Sequence, residues 1–215
     1  KFNQLFYMGL KKGILITFEG IEGCGKSTQI SKLYNFLKKN KIKCIKTREP
    51  GGTKISEKIR KVIIEDLKNN EDNLTELLLL FASRSNHVLK ISKYLKKNYI
   101  VICDRYIDST YVYQHYEQGQ SLKLINLLQK KIENKAKPFI TFFLDIPVSV
   151  SKKRLLNRRK LDRFDKYSTA KLNNLRNSFL KLSKKFKRIV KIDAYNNINV
   201  VHKEIIKHLS NKNVL

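Results

Sequence analysis

The chain contains 215 residues, 41% of them hydrophobic and 30% charged, and its formal net charge at pH 7 is +28. This composition is typical of a soluble globular protein, and no apolar run approaches the roughly 20 residues that cross a bilayer, which excludes a membrane-spanning protein. The positive charge favours anionic partners, but by itself it does not distinguish a small phosphorylated substrate from a nucleic acid.

Short apolar segments alternate with longer amphipathic ones, so we expect one α/β domain spanning residues 12–215 after an N-terminal extension of residues 1–11. The extension lacks the long hydrophobic region of a secretory signal. Five runs rich in β-branched or aromatic residues predict buried strands. They are Ile14–Phe18, Lys43–Thr47, Tyr99–Cys103, Ile140–Leu144 and Arg188–Ile192. Strands that alternate with helices predict a five-stranded parallel sheet with helices on both faces.

Between and after these strands, apolar residues recur at intervals of three and four, which predicts amphipathic helices. The helical patterns contain residues 30–37, 55–63, 74–97, 172–186 and 201–209. The segment Asn157–Tyr167 interrupts the pattern with dense charge. That segment is therefore a candidate lid.

The three cysteines, Cys24, Cys44 and Cys103, are odd in number and widely spaced. Such a set favours reduced thiols over a disulfide framework or a zinc site, and we therefore expect a cytoplasmic protein. The four histidines show no metal-ligand spacing either, and we expect them on helices or at the surface.

The segment Gly20–Ser27 (GIEGCGKS) matches the phosphate-binding pattern G-x-x-x-x-G-K-[ST]. It follows the first predicted strand and opens a predicted helix, so backbone N–H groups and the positive helix end can face a polyphosphate. Lys26 can reach the β- and γ-phosphates, and the Ser27 hydroxyl can bind Mg²⁺. The loop predicts nucleoside-triphosphate binding but leaves the acceptor open.

Three further segments carry phosphate or base chemistry. Thr47–Thr53 (TREPGGT) follows the second strand and so faces the same crevice as the phosphate loop. Asp104 and Arg105 follow the third strand, where they fit a Mg²⁺-binding acid and a phosphate clamp, or simply a strand-end salt bridge. Phe81 and Arg84 share a helix face and suit base recognition, although a core phenylalanine beside an exposed arginine is the commoner explanation for such a pair.

Together these motifs resemble bacterial-type thymidylate kinase. The resemblance rests on FEGIEGCGKST (Phe18–Thr28), TREPGGT (Thr47–Thr53), LLLFASR (Leu78–Arg84), DRYIDSTYVYQ (Asp104–Gln114) and LDR (Leu161–Arg163). It implies a P-loop nucleoside-monophosphate-kinase fold with a short lid at about residues 157–167. It also implies transfer of the γ-phosphoryl group of ATP to dTMP for dTTP supply, with Mg²⁺ as cofactor, in an enzyme that is usually a homodimer.

The resemblance assigns roles to individual residues. ATP would be bound by Gly20, Ile21, Glu22, Gly23, Cys24, Gly25, Lys26, Ser27 and Thr28, and Mg²⁺ by Ser27 and Asp104. The dTMP site would consist of Glu49, Pro50, Arg60, Phe81, Arg84, Arg105, Thr110, Tyr113 and Gln114. Arg60 and Arg105 would hold the phosphate of dTMP, and Arg84 would hydrogen-bond the thymine edge. From spacing alone, Arg60 is equally compatible with an ordinary surface arginine.

The family divides over whether an arginine reaches the transferring phosphoryl group from the phosphate loop or from the lid. The loop here carries Glu22 and no arginine, which favours the lid branch. The expected catalytic residues are Lys26, Arg105, Arg158 and Arg159, with Arg158 as first choice for the lid cation. The family's stacking phenylalanine usually lies four residues before the base-reading arginine, where this chain has Leu80, so we name Phe81 with Leu80 as the alternative.

Two other functions fit part of the pattern. The charge of +28 suits a P-loop nucleic-acid-binding ATPase, and the phosphate loop alone suits another nucleoside or nucleoside-monophosphate kinase. The acceptor-side motifs favour the thymidylate kinase. We therefore expect ATP and dTMP as partners and no membrane, with nucleic acid compatible but not required.

Overall fold

The computed structural model describes residues 12–67, 73–133, 136–157 and 163–215. At its centre lies a five-stranded sheet. Its strands are β1 (Ile14–Glu19), β2 (Cys44–Arg48), β3 (Ile100–Asp104), β4 (Pro138–Asp145) and β5 (Ile189–Asp193). All neighbours are parallel, in the order β2-β3-β1-β4-β5. The predicted extension, residues 1–11, lies outside the described residues, as do Arg158, Arg159 and Leu161.

The helices connect consecutive strands and close the chain. They are α1 (Lys26–Lys39), α2 (Lys54–Lys61), α3 (Asn73–Leu95), α4 (Ile107–Thr110), α5 (Leu122–Glu133), α6 (Val148–Leu156), α7 (Thr169–Lys185) and α8 (Ile198–Ser210). Two helices continue into π-helical turns, α2 over Val62–Asp66 and α4 over Tyr111–Glu117.

Both faces of the sheet are covered, as the alternating pattern predicted. One apolar cluster includes Leu33 of α1, Phe179 of α7 and Val201 of α8, and the other includes Val88 of α3 and Ile125 of α5. Each observed strand overlaps its predicted run, and β4 is longer because Pro138, Phe139 and Asp145 extend it. The pattern did not predict α5 or the α4 segment.

Every strand ends in a charged residue, and parallel strands bring these ends to one edge of the sheet. The terminal residues are Glu19, Arg48, Asp104, Asp145 and Asp193. The register pairs Phe18 with Asp104 and Arg48 with Asp104 across neighbouring strands. This carboxyl edge is where ligands bind in open α/β sheets, and the loops that follow β1, β2 and β3 build the site there.

Candidate active site

The phosphate loop connects β1 to α1 in the predicted geometry. Lys26 is buried, and its Nζ donates hydrogen bonds to the backbone oxygens of Gly20 at 3.0 Å and Ile21 at 3.1 Å. Gly25 caps α1 with φ of 98°, a left-handed conformation that glycine adopts without strain. The loop therefore curls around its own lysine, which is the shape that accepts a polyphosphate.

Ser27 and Asp104 meet across the carboxyl edge of the sheet. The Ser27 hydroxyl donates to Asp104 Oδ2 at 3.5 Å, and Asp104 Oδ1 is buried with no hydrogen-bond partner in the described part of the chain. A hydroxyl and a carboxylate with a spare oxygen form a donor set that suits Mg²⁺. The residues present thus fit the expected metal.

Arg105 is held in an unusual backbone conformation, with φ of 64°. Its guanidinium donates to Glu22 Oε1 at 2.7 Å and to the Ser109 hydroxyl at 3.1 Å, and it lies over the Tyr113 ring. A left-handed non-glycine residue costs roughly 1–3 kcal/mol and persists only where its surroundings determine it. The hydrogen bonds to Glu22 and Ser109 hold Arg105 in this strained conformation, in which it lines the cavity.

Glu19, which the sequence reasoning did not select, fixes the backbone that follows Arg105. Its buried carboxylate accepts hydrogen bonds from the Tyr106 N–H at 2.7 Å and from the Ser109 hydroxyl at 2.6 Å. Ser109 thereby connects Glu19 to Arg105. Burial and the nearby Asp108 carboxylate raise the pKa of Glu19 from 4.5 to about 7.

This raised pKa predicts a pH-dependent stability. Between pH 4.5 and 7 the native Glu19 retains a proton that the unfolded chain has released, so stability falls as the pH rises through this window. The full effect is roughly 3 kcal/mol by pH 8. We expect Glu19→Gln to remove this component, measured as the free energy of unfolding in urea from pH 4.5 to 8. The exposed Glu65→Gln is the control, and an unchanged pH slope in Glu19→Gln would contradict the assignment.

A buried polar chain surrounds Arg84, whose side chain is 3% exposed. Arg84 Nε donates to Glu49 Oε2 at 2.7 Å, Nη2 donates to the Thr110 hydroxyl at 2.9 Å, and Nη1 has no hydrogen-bond partner among the described residues. His87 Nδ1 lies 3.0 Å from Glu49 Oε1, and the histidine side chain is fully buried. Although burial opposes it, Arg84 and His87 lower the pKa of Glu49 overall. The Arg84 guanidinium is thus held in place by Glu49 and Thr110, and no described residue uses its Nη1 donor.

Gly52, in the loop after β2, occupies a position where a side chain does not fit. Its φ is 86°, and a Cβ atom there would lie 2.4 Å from both His87 Nε2 and Thr47 Oγ1. Those two atoms are themselves hydrogen-bonded at 2.6 Å. A side chain at this position would therefore break the support behind Glu49.

Both predicted halves of the site line one cavity of about 560 Å³. Its lining includes Glu22–Thr28 of the phosphate loop and, on the other side, Glu49, Pro50, Arg60, Arg84, Arg105, Thr110, Tyr113 and Gln114. Gly20 and Ile21 are not part of the lining: they are buried at the start of the loop, where their carbonyls accept hydrogen bonds from Lys26. The Arg60 guanidinium donates to the Pro50 carbonyl at 3.0 Å.

Phe81 does not face this cavity. It packs in the core beneath Arg84, with its ring centroid 5.1 Å from the guanidinium carbon, whereas Leu80 lines the cavity. The reason is helical phase: Glu76, Leu80 and Arg84 are spaced by four residues and share one face of α3. Leu80, and not Phe81 as predicted, therefore lies at the wall of the cavity.

Arg154 of α6 was not predicted as a site residue. It donates to the carbonyls of Gly23 at 3.3 Å and Ala194 at 3.4 Å, and it lines the cavity beside the phosphate loop. Its helix brings it to the loop, and the only signal in the sequence was one more basic residue in a lysine-rich stretch. Arg163, from the predicted lid, contacts Glu76 at 2.5 Å.

A parallel sheet with the order 2-3-1-4-5, a phosphate loop after its central strand and an arginine-lined acceptor cavity define a P-loop nucleoside-monophosphate kinase. The family model described as Thymidylate kinase matches residues 18–205. The chain belongs to the thymidylate kinase family.

Individual relatives agree with this assignment. The chain is 42% identical to a thymidylate kinase of Sulfurihydrogenibium sp. over 94% of its length and 100% of the relative's. It is also 42% identical to one of Rickettsia bellii over 94% of this chain and 98% of the relative. A crystal structure of thymidylate kinase from Ehrlichia chaffeensis superposes with a TM-score of 0.72 at 34% identity, covering 92% of this chain and 98% of that one.

These findings support the kinase interpretation and not the nucleic-acid-binding ATPase. Among the residues that the structure describes, no helix combines the length and the apolar character needed to cross a bilayer. Cys24, Cys44 and Cys103 are free and buried.

Proposed function

We propose that the protein transfers the γ-phosphoryl group of ATP to dTMP, giving ADP and dTDP for dTTP supply. The observation that supports this most directly is that the phosphate loop and the Arg84–Glu49–Thr110 cluster line the same cavity. Two nucleotides bound in these positions would meet phosphate to phosphate. Direct transfer requires that arrangement.

The donor half would hold ATP on the loop after β1. Backbone N–H groups of Gly23–Ser27 and the Lys26 ammonium would bind the phosphates, and Ser27 and Asp104 would hold Mg²⁺, which neutralises phosphate charge. Ala194, Asn196 and Ile198 line the cavity beside Arg154, where the adenine would lie.

The acceptor half would hold dTMP between α3 and the segment after β3. Arg105 and Arg60 would bind its phosphate, and the spare Arg84 Nη1 would donate to a thymine oxygen. The Tyr113 hydroxyl donates to Glu22 Oε1 at 2.7 Å, and its ring would pack against the deoxyribose. Glu22 Oε2 is buried without a hydrogen-bond partner in the described part of the chain and would accept the 3′-hydroxyl of the deoxyribose.

The chemistry requires little beyond this placement. The attacking group is a phosphate oxygen of dTMP, which is ionised near neutrality, so no strong general base is needed. Lys26, Arg105 and the lid arginines Arg158 and Arg159 would neutralise the charge that two phosphorylated substrates bring together. The roles of Arg158 and Arg159 remain predictions from the sequence.

Substrate selection provides the test of this proposal. We expect ADP release in magnesium–ATP to be fastest with dTMP when dTMP, dUMP, dCMP, AMP and thymidine are compared in a coupled assay. A folded protein that leaves dTMP unphosphorylated would reject the proposal. ATP hydrolysis that DNA or RNA stimulates and dTMP does not would favour the ATPase instead.

We also propose that the protein acts in the cytoplasm as a homodimer. Helix α2 with its π-helical turn packs against α3, and together they leave five large apolar side chains 37–57% exposed: Ile55, Val62, Leu74, Leu78 and Leu89. Covering such side chains favours association of two copies. Light scattering at micromolar concentration is the measurement that checks the dimer.

A further inference from the structure

Glu76 lies in the first turn of α3, is 5% exposed and lines the cavity. Its carboxylate accepts hydrogen bonds from three side chains that come from outside α3. Gln114 Nε2 lies 2.8 Å and Gln118 Nε2 3.2 Å from Glu76 Oε1, and Arg163 Nη2 lies 2.5 Å from Oε2. The substrate contacts expected of Gln114 and Arg84 do not by themselves explain why a carboxylate is buried at position 76.

These contacts determine the orientation of the Gln114 amide. An ionised carboxylate only accepts hydrogen bonds, so the amide nitrogen of Gln114 must face Glu76. The amide oxygen is then the atom left for a ligand. Gln114 is 3% exposed and lines the cavity, so a turn of the amide would exchange a hydrogen-bond acceptor for a donor there.

Arg84 supplies the complementary group from the same face of α3. Its Nη1 donor has no partner in the described part of the chain, and its Nη2 is held by Thr110, four residues before Gln114. The pocket thus offers one fixed donor and one fixed acceptor. Thymine presents an acceptor at O4 and a donor at N3, whereas cytosine presents a donor at N4 and an acceptor at N3.

We propose that Glu76 is a positioning residue that sets pyrimidine selectivity by holding the amide oxygen of Gln114 toward the base. The proposal rests on the proposed function, because it concerns the acceptor half of that site. With Glu76 in place, the pocket matches thymine and uracil and opposes cytosine with like groups. Mismatched buried polar groups discriminate strongly because each remains unpaired.

The first measurement is kcat/KM for dTMP, dUMP and dCMP in the wild type and in Glu76→Gln. A glutamine at position 76 can also donate, so it permits the Gln114 amide to turn. We expect the dTMP-to-dCMP ratio to fall by about tenfold, the effect of one hydrogen bond. The dTMP-to-dUMP ratio should stay within about twofold, because uracil has the same hydrogen-bonding edge. An unchanged dTMP-to-dCMP ratio in a folded Glu76→Gln protein would overturn the proposal.

Gln114→Leu shows whether Glu76 acts through the amide. In that background Glu76→Gln should change the dTMP-to-dCMP ratio no further, whereas an equal change in both backgrounds would overturn the proposal. Arg163→Gln breaks the contact to the other carboxylate oxygen of Glu76, Oε2, and should leave the ratio within about twofold, because Arg163 does not hold the amide. A tenfold fall in Arg163→Gln would assign the effect to Arg163.

Exposed Glu65→Gln serves as the surface control, and thermal melts of every variant separate lost selectivity from lost folding. Different outcomes reject the proposed function and the role of Glu76. A wild-type protein without activity on dTMP rejects the proposed function. A wild-type protein that phosphorylates dTMP while Glu76→Gln keeps full selectivity rejects only the role of Glu76.

Discussion

Replacing Arg158 by alanine should lower kcat by about 10³–10⁵-fold, the range typical of arginine fingers in phosphotransferases. Three of the described cations that line the cavity already have protein partners: Lys26 contacts loop carbonyls, Arg105 contacts Glu22, and Arg84 contacts Glu49. The phosphate loop itself carries no arginine. Helix α6 ends at Leu156, and its Arg154 already contacts Gly23, so the chain enters the 157–167 segment near the phosphate loop.

The binding of dTMP distinguishes this role from a simple contribution to affinity. Single-turnover rates and the dissociation constant of dTMP should be measured for Arg158→Ala, Arg159→Ala and Arg154→Ala. We expect Arg158→Ala to lose turnover while retaining dTMP affinity. A variant that turns over normally but no longer binds dTMP would contradict the catalytic role, and a larger loss in Arg159→Ala would transfer that role to the neighbouring arginine.

The parts of the site that follow strand ends could be predicted because parallel strands bring their carboxyl ends together. Gly20–Thr28, Glu49, Asp104 and Arg105 were placed on this edge by that rule, and the structure brings Glu22–Thr28 together with Glu49, Asp104 and Arg105 around one cavity. Their chemistry was also visible locally, since each carries a charged group or a glycine turn next to a β-branched run.

The sequence did not show which residues of the site form hydrogen bonds with one another. Glu22 is paired with Arg105 and Tyr113, and Glu19 with Ser109, and these contacts join residues separated by 83 to 91 positions. No periodicity encodes such a distance. The choice between Leu80 and Phe81 failed for a different reason, because adjacent helix residues point about 100° apart and only the packing of α3 fixes the phase. Helix α5 was missed although Ile125, Leu128 and Ile132 have the spacing of an amphipathic helix face, so its sequence did carry the signal.

Arg105→Ala should abolish most activity and weaken the fold at the same time. The phosphate of dTMP would lose its principal cation, and we expect kcat/KM to fall by about 10²–10³-fold. Glu22 is 7% exposed, and without Arg105 its carboxylate would be buried with only the Tyr113 hydroxyl as a hydrogen-bond donor. Breaking a buried pair from one side typically costs roughly 3–5 kcal/mol, so urea unfolding should shift to lower concentration.

The double variant Glu22→Gln/Arg105→Ala separates these two effects. Removing the orphaned charge should restore a large part of the lost stability, because a neutral amide is far less costly to bury than an unpaired carboxylate. It should restore none of the activity, since the cation that contacts the acceptor is still absent. Recovery of both together would mean that Arg105 contributes to catalysis only by stabilising Glu22. Recovery of stability alone would show that the Arg105 guanidinium contributes to the reaction directly and not only by stabilising Glu22.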